Sequence, residues 1–162
     1  EASWKEIDLD SGLWTVPAGR VKNRTNTSRK PHLIPLSDQA KALIESLHPL
    51  TGHGSLIFPS VSNFTKPIST HTMNSALYRL GYKEIFCPHG WRTIFRTLAD
   101  EVLCERPDLL EIQIAHKIPG PLRDTYNRAD HINARHEMMQ RWADYLDGLK
   151  AGGNTTLASR NS

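Results

Sequence analysis

The segment Pro88-His89-Gly90-Trp91-Arg92 sets an imidazole and a guanidinium three residues apart. At the start of a helix that spacing puts both groups on one face of the first turn. Free N–H groups at such a terminus also favour an anion. A phosphate suits the corner, because arginine offers a planar fork of donors and histidine a donor or a proton shuttle. The pair also has a plain structural use, with His89 capping the helix and Arg92 paired with Asp100 or Glu101. Further along come Ala115-His116 and Tyr126-Asn127-Arg128. A tyrosine that attacks a phosphate needs the phosphate held before it, and cations to absorb charge in the transition state. His89, Arg92 and His116 would form that set for Tyr126. Each has a bland reading as well: His116 suits the dipole at a helix C-terminus, and Tyr126 beside an apolar stripe suits a core. The stretch 20–32, RVKNRTNTSRKPH, carries Arg20, Lys22, Arg24, Arg29 and Lys30 and no acid. It reads either as a solvated surface or as a basic loop lying on DNA, with Lys22 as a phosphate contact or general acid.

These residues need elements to position them. Two short apolar runs, 3–9 and 13–17, flank the turn Asp10-Ser11-Gly12 and predict a β-hairpin. His32-Leu33-Ile34-Pro35 predicts a third strand, so the basic stretch becomes the loop between strands two and three. Ser37 is a natural N-cap, followed by Ala40, Leu43, Ile44 and Leu47 at helical spacing. Residues 48–67 read as loop, interrupted by Leu56-Ile57-Phe58. A second helix is expected over 70–80, with Met73, Leu77 and Leu80 inward and Gly81 as its stop. A third begins near Pro88, with Trp91, Phe95, Leu98 and Val102 on its apolar face. A fourth covers 108–116. The last covers 123–149, with Ile132, Met139, Trp142, Leu146 and Leu149 on one stripe. The expected fold class is α+β, a mainly helical domain with a small three-stranded antiparallel sheet at its N-terminus. A sheet that small must pack on the helices. The domain is expected to span 1–149, with 150–162 a disordered tail.

Composition narrows the function classes. The 162 residues fit one domain, and no run of about 18 apolar residues spans a membrane. The acidic start EASWKEIDLD does not read as a signal peptide. Cys87 and Cys104 cannot build a disulfide framework, and a reducing cytosol is the natural reading. A net charge of +3, from 20 basic and 17 acidic residues, permits a nucleic-acid partner without demanding one. A cysteine phosphatase built on Cys87 and Arg92 fails on spacing, since four residues intervene where that loop has five. A metal hydrolase fails because the eight histidines form no paired ligand motif.

Several pieces occur together and in order: Trp4-Lys5-Glu6-Ile7-Asp8, Trp14-Thr15-Val16-Pro17, Val21-Lys22, His32-Leu33-Ile34-Pro35-Leu36-Ser37, Leu56-Ile57-Phe58-Pro59-Ser60, His89-Gly90-Trp91-Arg92, Ile114-Ala115-His116 and Asp124-Thr125-Tyr126-Asn127-Arg128-Ala129. Glu137-Met138-Met139-Gln140 and Trp142-Ala143-Asp144-Tyr145 extend the match. With Tyr126 ten residues after His116, the chain from Glu1 to about Leu149 resembles the tyrosine recombinases, in particular the P4-like phage and prophage integrases.

The resemblance implies prophage integration and excision by site-specific cutting and rejoining of DNA through a 3′-phosphotyrosine link, with no metal or cofactor. It makes Tyr126 the nucleophile, Arg92 the second phosphate-binding arginine, His89 the histidine of the His-x-x-Arg motif and His116 the later histidine. The general acid in the loop between strands two and three is Lys22 or Lys30. Val21-Lys22, following the strand as the family's Met-Lys does, favours Lys22. Arg20, Arg24, Arg29 and Lys30 would contact DNA. The implied partners are double-stranded attachment-site DNA, other protomers in a synaptic tetramer, and an excisionase or a host DNA-bending protein. The implied location is the bacterial cytoplasm, at the nucleoid, with no membrane partner. The family's first catalytic arginine opens an Arg-x-x-Glu pattern ahead of the Trp4 position. It would lie upstream of residue 1, so the 162 residues alone are expected to be inactive. Two rivals remain to be separated by experiment: a non-catalytic DNA-binding remnant of a prophage integrase, and a helical interaction module.

Overall fold

The computed structural model describes residues 1–20, 31–116 and 131–152. Its fold is α+β, as expected. Strands β1 (Ile7–Asp8), β2 (Leu13–Val16) and β3 (His32–Pro35) form an antiparallel sheet in the order β1-β2-β3. Trp14 stands opposite both Ile7 and Ile34. The hairpin turn closes because Asp8 accepts from the amides of Asp10 and Ser11 at 3.0 and 3.1 Å, and Gly12 takes φ +64°.

The first strand is much shorter than the run 3–9 suggested. Trp4–Glu6 is a 3₁₀ turn instead. The Glu6 carboxylate accepts from the Ser3 amide at 3.4 Å, and the Glu6 amide donates to the Ser3 carbonyl at 3.0 Å. The strand-forming capacity before the turn goes to residues 55–57: Trp4 N–H donates to Ser55 O at 3.1 Å, and Ile57 N–H to Ala2 O at 3.0 Å. Ile57, in the apolar run that interrupts the expected loop, is fully buried.

Ser37 caps α1 (Asp38–Thr51) by accepting from the Ala40 amide. The helix runs past Pro49, where a loop was expected. In the last turn a proline removes one ladder bond, and Thr51 Oγ1 and Gly52 N–H still bond back to Leu47 O and His48 O. Strands β4 (Pro59–Ser60) and β5 (Asn63–Pro67) make a second, two-stranded sheet. Helix α2 (Thr70–Arg79) forms where expected but buries no residue; Met73 and Leu80 are exposed rather than inward. Helical spacing specifies a face, and here no described element covers that face closely.

The core lies between α3 (Gly90–Glu101), α4 (Pro107–Gln113) and α5 (Ile132–Lys150). Phe95 and Ala99 meet Leu109, Leu110 and Ile114 there, with Met138 sealing the far side. Each large side chain so buried contributes roughly 1.5–3 kcal/mol of transfer free energy. Trp142 adds an edge-to-face contact with Phe95 at 5.3 Å. Trp91 does not join this face and is exposed. The expected α5 stripe is also shifted: Leu146 and Leu149 are exposed, and the buried residues are Arg135 and Met138. Residues 123–130 of that expected helix, and 153–162 of the expected tail, lie outside the described residues.

Arg135 fastens the sheet to the helical core. Its guanidinium is fully buried, with Nε and Nη2 donating to Gln113 Oε1 at 2.9 and 2.6 Å. Nη2 also donates to Leu33 O on β3 at 2.8 Å. His32, at the head of β3, places its Nε2 3.3 Å from Gln113 O. Among the described residues, no helix is long and apolar enough to cross a membrane.

Candidate active site

Helix α3 begins at Gly90, two residues later than expected, and His89 occupies its N-cap position. His89 is already in the helical region at φ −68°, ψ −27°, and its side chain makes no capping bond. The imidazole is exposed rather than turned back on the backbone. Two amides of this turn are engaged, Gly90 N–H with Cys87 O and Arg92 N–H with His89 O. The anion-attracting groups at this corner are therefore mainly side chains.

Gly90 has a packing reason. A Cβ there would lie 2.8 Å from the Phe86 ring, which is held edge-on against Trp91 at a centroid distance of 4.6 Å. Gly90→Ala should displace that pair and cost about 1–3 kcal/mol by overpacking, read as a lowered urea midpoint. An unchanged midpoint would show that Phe86 yields freely.

From this start, one face of α3 presents His89, Arg92, Thr93, Arg96 and Thr97 to an open cleft whose opposite lip is Ile114 and His116. The members on α3 recur every three or four residues, so they form a row along the helix. The opposite lip depends on how α4 ends. Helical geometry stops at Gln113, earlier than expected, and Ala115 takes the left-handed φ of +56°. That reversal leaves the Ile114 carbonyl facing α3, where Arg92 Nη1 donates to it at 2.5 Å. It also brings His116 back over Glu111, with His116 N–H donating to Glu111 O at 2.9 Å.

Glu111 ties the two lips together. Its Oε1 accepts from Arg96 Nε at 2.5 Å, and its Oε2 lies 2.9 Å from His116 Nδ1. Burial alone would push the Glu111 carboxyl up, but donation by Arg96 and His116 outweighs it and holds the group below its ordinary value. The same contact raises the pKa of Arg96. Arg92 pairs with neither Asp100 nor Glu101; among the described residues its guanidinium bonds only to a backbone carbonyl and keeps its full charge toward the cleft. Two guanidiniums, two imidazoles and two threonine hydroxyls at one opening make a binding place for a phosphate-like anion.

The chain is 38% identical over 154 residues to the prophage integrase IntZ of Escherichia coli K12, covering 95% of this chain and 37% of that protein. It is 38% identical over 156 residues to the integrase of Enterobacteria phage P4, covering 90% of this chain and 36% of that one. The integrase of Shigella phage Sf6 is 35% identical over 146 residues, covering 89% and 36%. This chain belongs to the phage integrase family. It spans just over a third of the length of the integrases it matches. No family model matches the chain, and no solved structure matches it.

Within this integrase chain, His89 and Arg92, three residues apart in sequence, line the cleft together with His116. Tyr126, Lys22, Arg24, Arg29 and Lys30 lie outside the described residues. Arg20 ends the described part of the N-terminal segment, and its guanidinium is ion-paired with Glu6. Glu6 also accepts from Trp14 Nε1 at 3.2 Å. Arg20 thus has a structural role in bracing β2. Sequence reasoning missed Arg96 and Glu111. Arg96 had a signal, since it stands four residues after Arg92 on the same helical row. Glu111 had none, because its reach to His116 depends on the reversal at Ala115.

Proposed function

We propose that residues 1–149 act as the catalytic domain of a site-specific DNA recombinase that integrates and excises prophage DNA. The Tyr126 oxygen loses its phenolic proton to solvent and attacks the scissile phosphorus, the P–O5′ bond breaks, and the 5′-oxygen leaves as a hydroxyl after receiving a proton from Lys22, which solvent then reprotonates. The product is a 3′-phosphotyrosine ester. A 5′-hydroxyl from a second DNA end then attacks the same phosphorus and displaces Tyr126. The phosphodiester energy is kept throughout, so no high-energy cofactor is needed. Arg92, His89 and His116 neutralise the charge that develops on the phosphorane oxygens, where fixed donors count most. Arg24, Arg29 and Lys30 track the DNA backbone, and synapsis brings further protomers together, with an excisionase or a DNA-bending protein as accessory.

The observation that carries this reading is the convergence of His89, Arg92 and His116 on one open cleft. The names of the related integrases support the same class of activity. The test is a nicked attachment-site suicide substrate, given to a chain that also carries the arginine the resemblance puts ahead of Trp4. A covalent protein–DNA adduct is expected, and Tyr126→Phe should abolish it. An adduct that survives Tyr126→Phe means the nucleophile lies elsewhere. Salt-dependent DNA binding with no adduct in either protein would favour the non-catalytic remnant instead.

A further inference from the structure

Glu111 has no part in the strand-transfer chemistry above, yet its carboxylate is divided between two groups of the cleft. Oε1 takes Arg96 Nε and Oε2 takes His116 Nδ1. Its side chain is only 20% exposed, whereas Arg96 and His116 are 49% and 51% exposed. A largely buried anchor on α4 therefore holds two outer groups, one from α3 and one from the segment after α4.

The direction of these bonds follows from chemistry. An ionised carboxylate has no proton to give, so the ring nitrogen facing it must be the donor. A neutral His116 then carries its proton on Nδ1, and Nε2 is left as the lone-pair nitrogen available to the cleft. A histidine in water favours the opposite tautomer, with the proton on Nε2. Arg96 spends only Nε on Glu111; among the described residues Nη1 and Nη2 have no other hydrogen-bond partner. That edge of the guanidinium remains for an anion at the same opening.

We propose that Glu111 is the positioning residue of this cleft: it fixes His116 as the Nδ1–H tautomer and presents Arg96 as a further phosphate-contacting cation. The tautomer stands on geometry alone. The phosphate contact rests on the reading given under Proposed function. A purely structural Glu111, serving only to tie α3 to α4, would leave tautomer and anion response untouched so long as the chain folded.

The experiment is long-range ¹H–¹⁵N correlation spectroscopy on the 162-residue chain labelled at histidine, at alkaline pH where imidazoles are neutral. The His116 signals are assigned by their loss in His116→Gln. The wild-type chain should show His116 as the Nδ1–H tautomer. Glu111→Ala should return it to the Nε2–H form typical of free histidine, and Arg96→Ala should not. Finding Nε2–H in the wild type overturns the proposal without any variant, which guards against Glu111→Ala failing to fold. Inorganic phosphate is then titrated into the chain labelled at both histidine and arginine, near neutral pH, while His116 and the Arg96 Nε–H signal are followed. Both should respond in the wild type, and the apparent affinity should fall several-fold in Glu111→Ala and in Arg96→Ala. A phosphate response unchanged in both variants overturns Arg96 as a contact. The Nδ1–H tautomer with no phosphate response in any protein would support the hold on His116 and count against the phosphate-site reading.

Discussion

Arg92→Ala is expected to lower the rate of covalent adduct formation about 10²–10³-fold in the suicide-substrate assay, the usual loss for one fixed donor to a developing oxyanion. Stability should change little. Arg92 is exposed, and its one bond to the described structure runs to a carbonyl that water can satisfy in its absence. DNA affinity should fall far less than the rate, because most binding energy on DNA comes from the many other phosphate contacts. The bond to Ile114 O is what separates arginine from lysine here. One nitrogen of the guanidinium is used to aim the group, and the others remain for the anion. Arg92→Lys keeps the charge but cannot be aimed and bind at once, so it should recover only part of the lost rate. Full activity in Arg92→Lys would mean that the Ile114 contact is incidental. A rate unchanged in Arg92→Ala would remove Arg92 from the site altogether.

Arg135→Ala should cost about 2–5 kcal/mol, from the cavity left by a large buried side chain and from orphaning the buried acceptors it satisfies. That is a large share of the roughly 5–15 kcal/mol that holds a typical domain folded. The side chain is fully buried and bridges Gln113, before the reversal at Ala115, to Leu33 on β3. Its loss orphans the Gln113 side chain and unpins β3 from the helical core. The damage should reach the cleft, because Gln113 immediately precedes Ile114, whose carbonyl aims Arg92. Urea unfolding monitored by tryptophan fluorescence checks the size of the effect. Arg135→Lys keeps a charge yet cannot span both acceptors, and should fall between wild type and alanine. A loss under about 1 kcal/mol for Arg135→Ala would mean that the sheet is held by its apolar contacts alone.

Much of the fold is written in local pattern. Ser37 followed by apolar residues at helical spacing predicted α1, and Asp10-Ser11-Gly12 predicted the hairpin turn. These succeed because caps and turns are decided within a few residues of chain. The errors share a different cause. Local pattern puts Trp4 in a strand and leaves the Leu56-Ile57-Phe58 run without a partner, but Trp4 and Ile57 each take a backbone partner from the other segment, about 50 residues away. Met73 and Leu80 have the right spacing for a buried face, and spacing cannot say whether anything covers it. Arg135 interrupts an apolar stripe, where pattern reading assigns a charge to solvent. Its burial depends on acceptors brought from α4 and β3.

The site divides along the same line. The sequence by itself determined that His89 and Arg92 share a helix face, because three-residue spacing on a helix leaves no other choice. It also determined membership of the integrase family, because order and spacing of motifs survive where single residues do not. Only the tertiary structure decided that His116 meets that face, that Arg92 is aimed by the Ile114 carbonyl, and that Glu111 binds Arg96 and His116 together. Those contacts cross from one helix to another through a left-handed turn at Ala115. No local propensity encodes such a meeting; it exists only once Phe95, Ala99, Leu109, Leu110 and Met138 have packed and fixed α3 against α4.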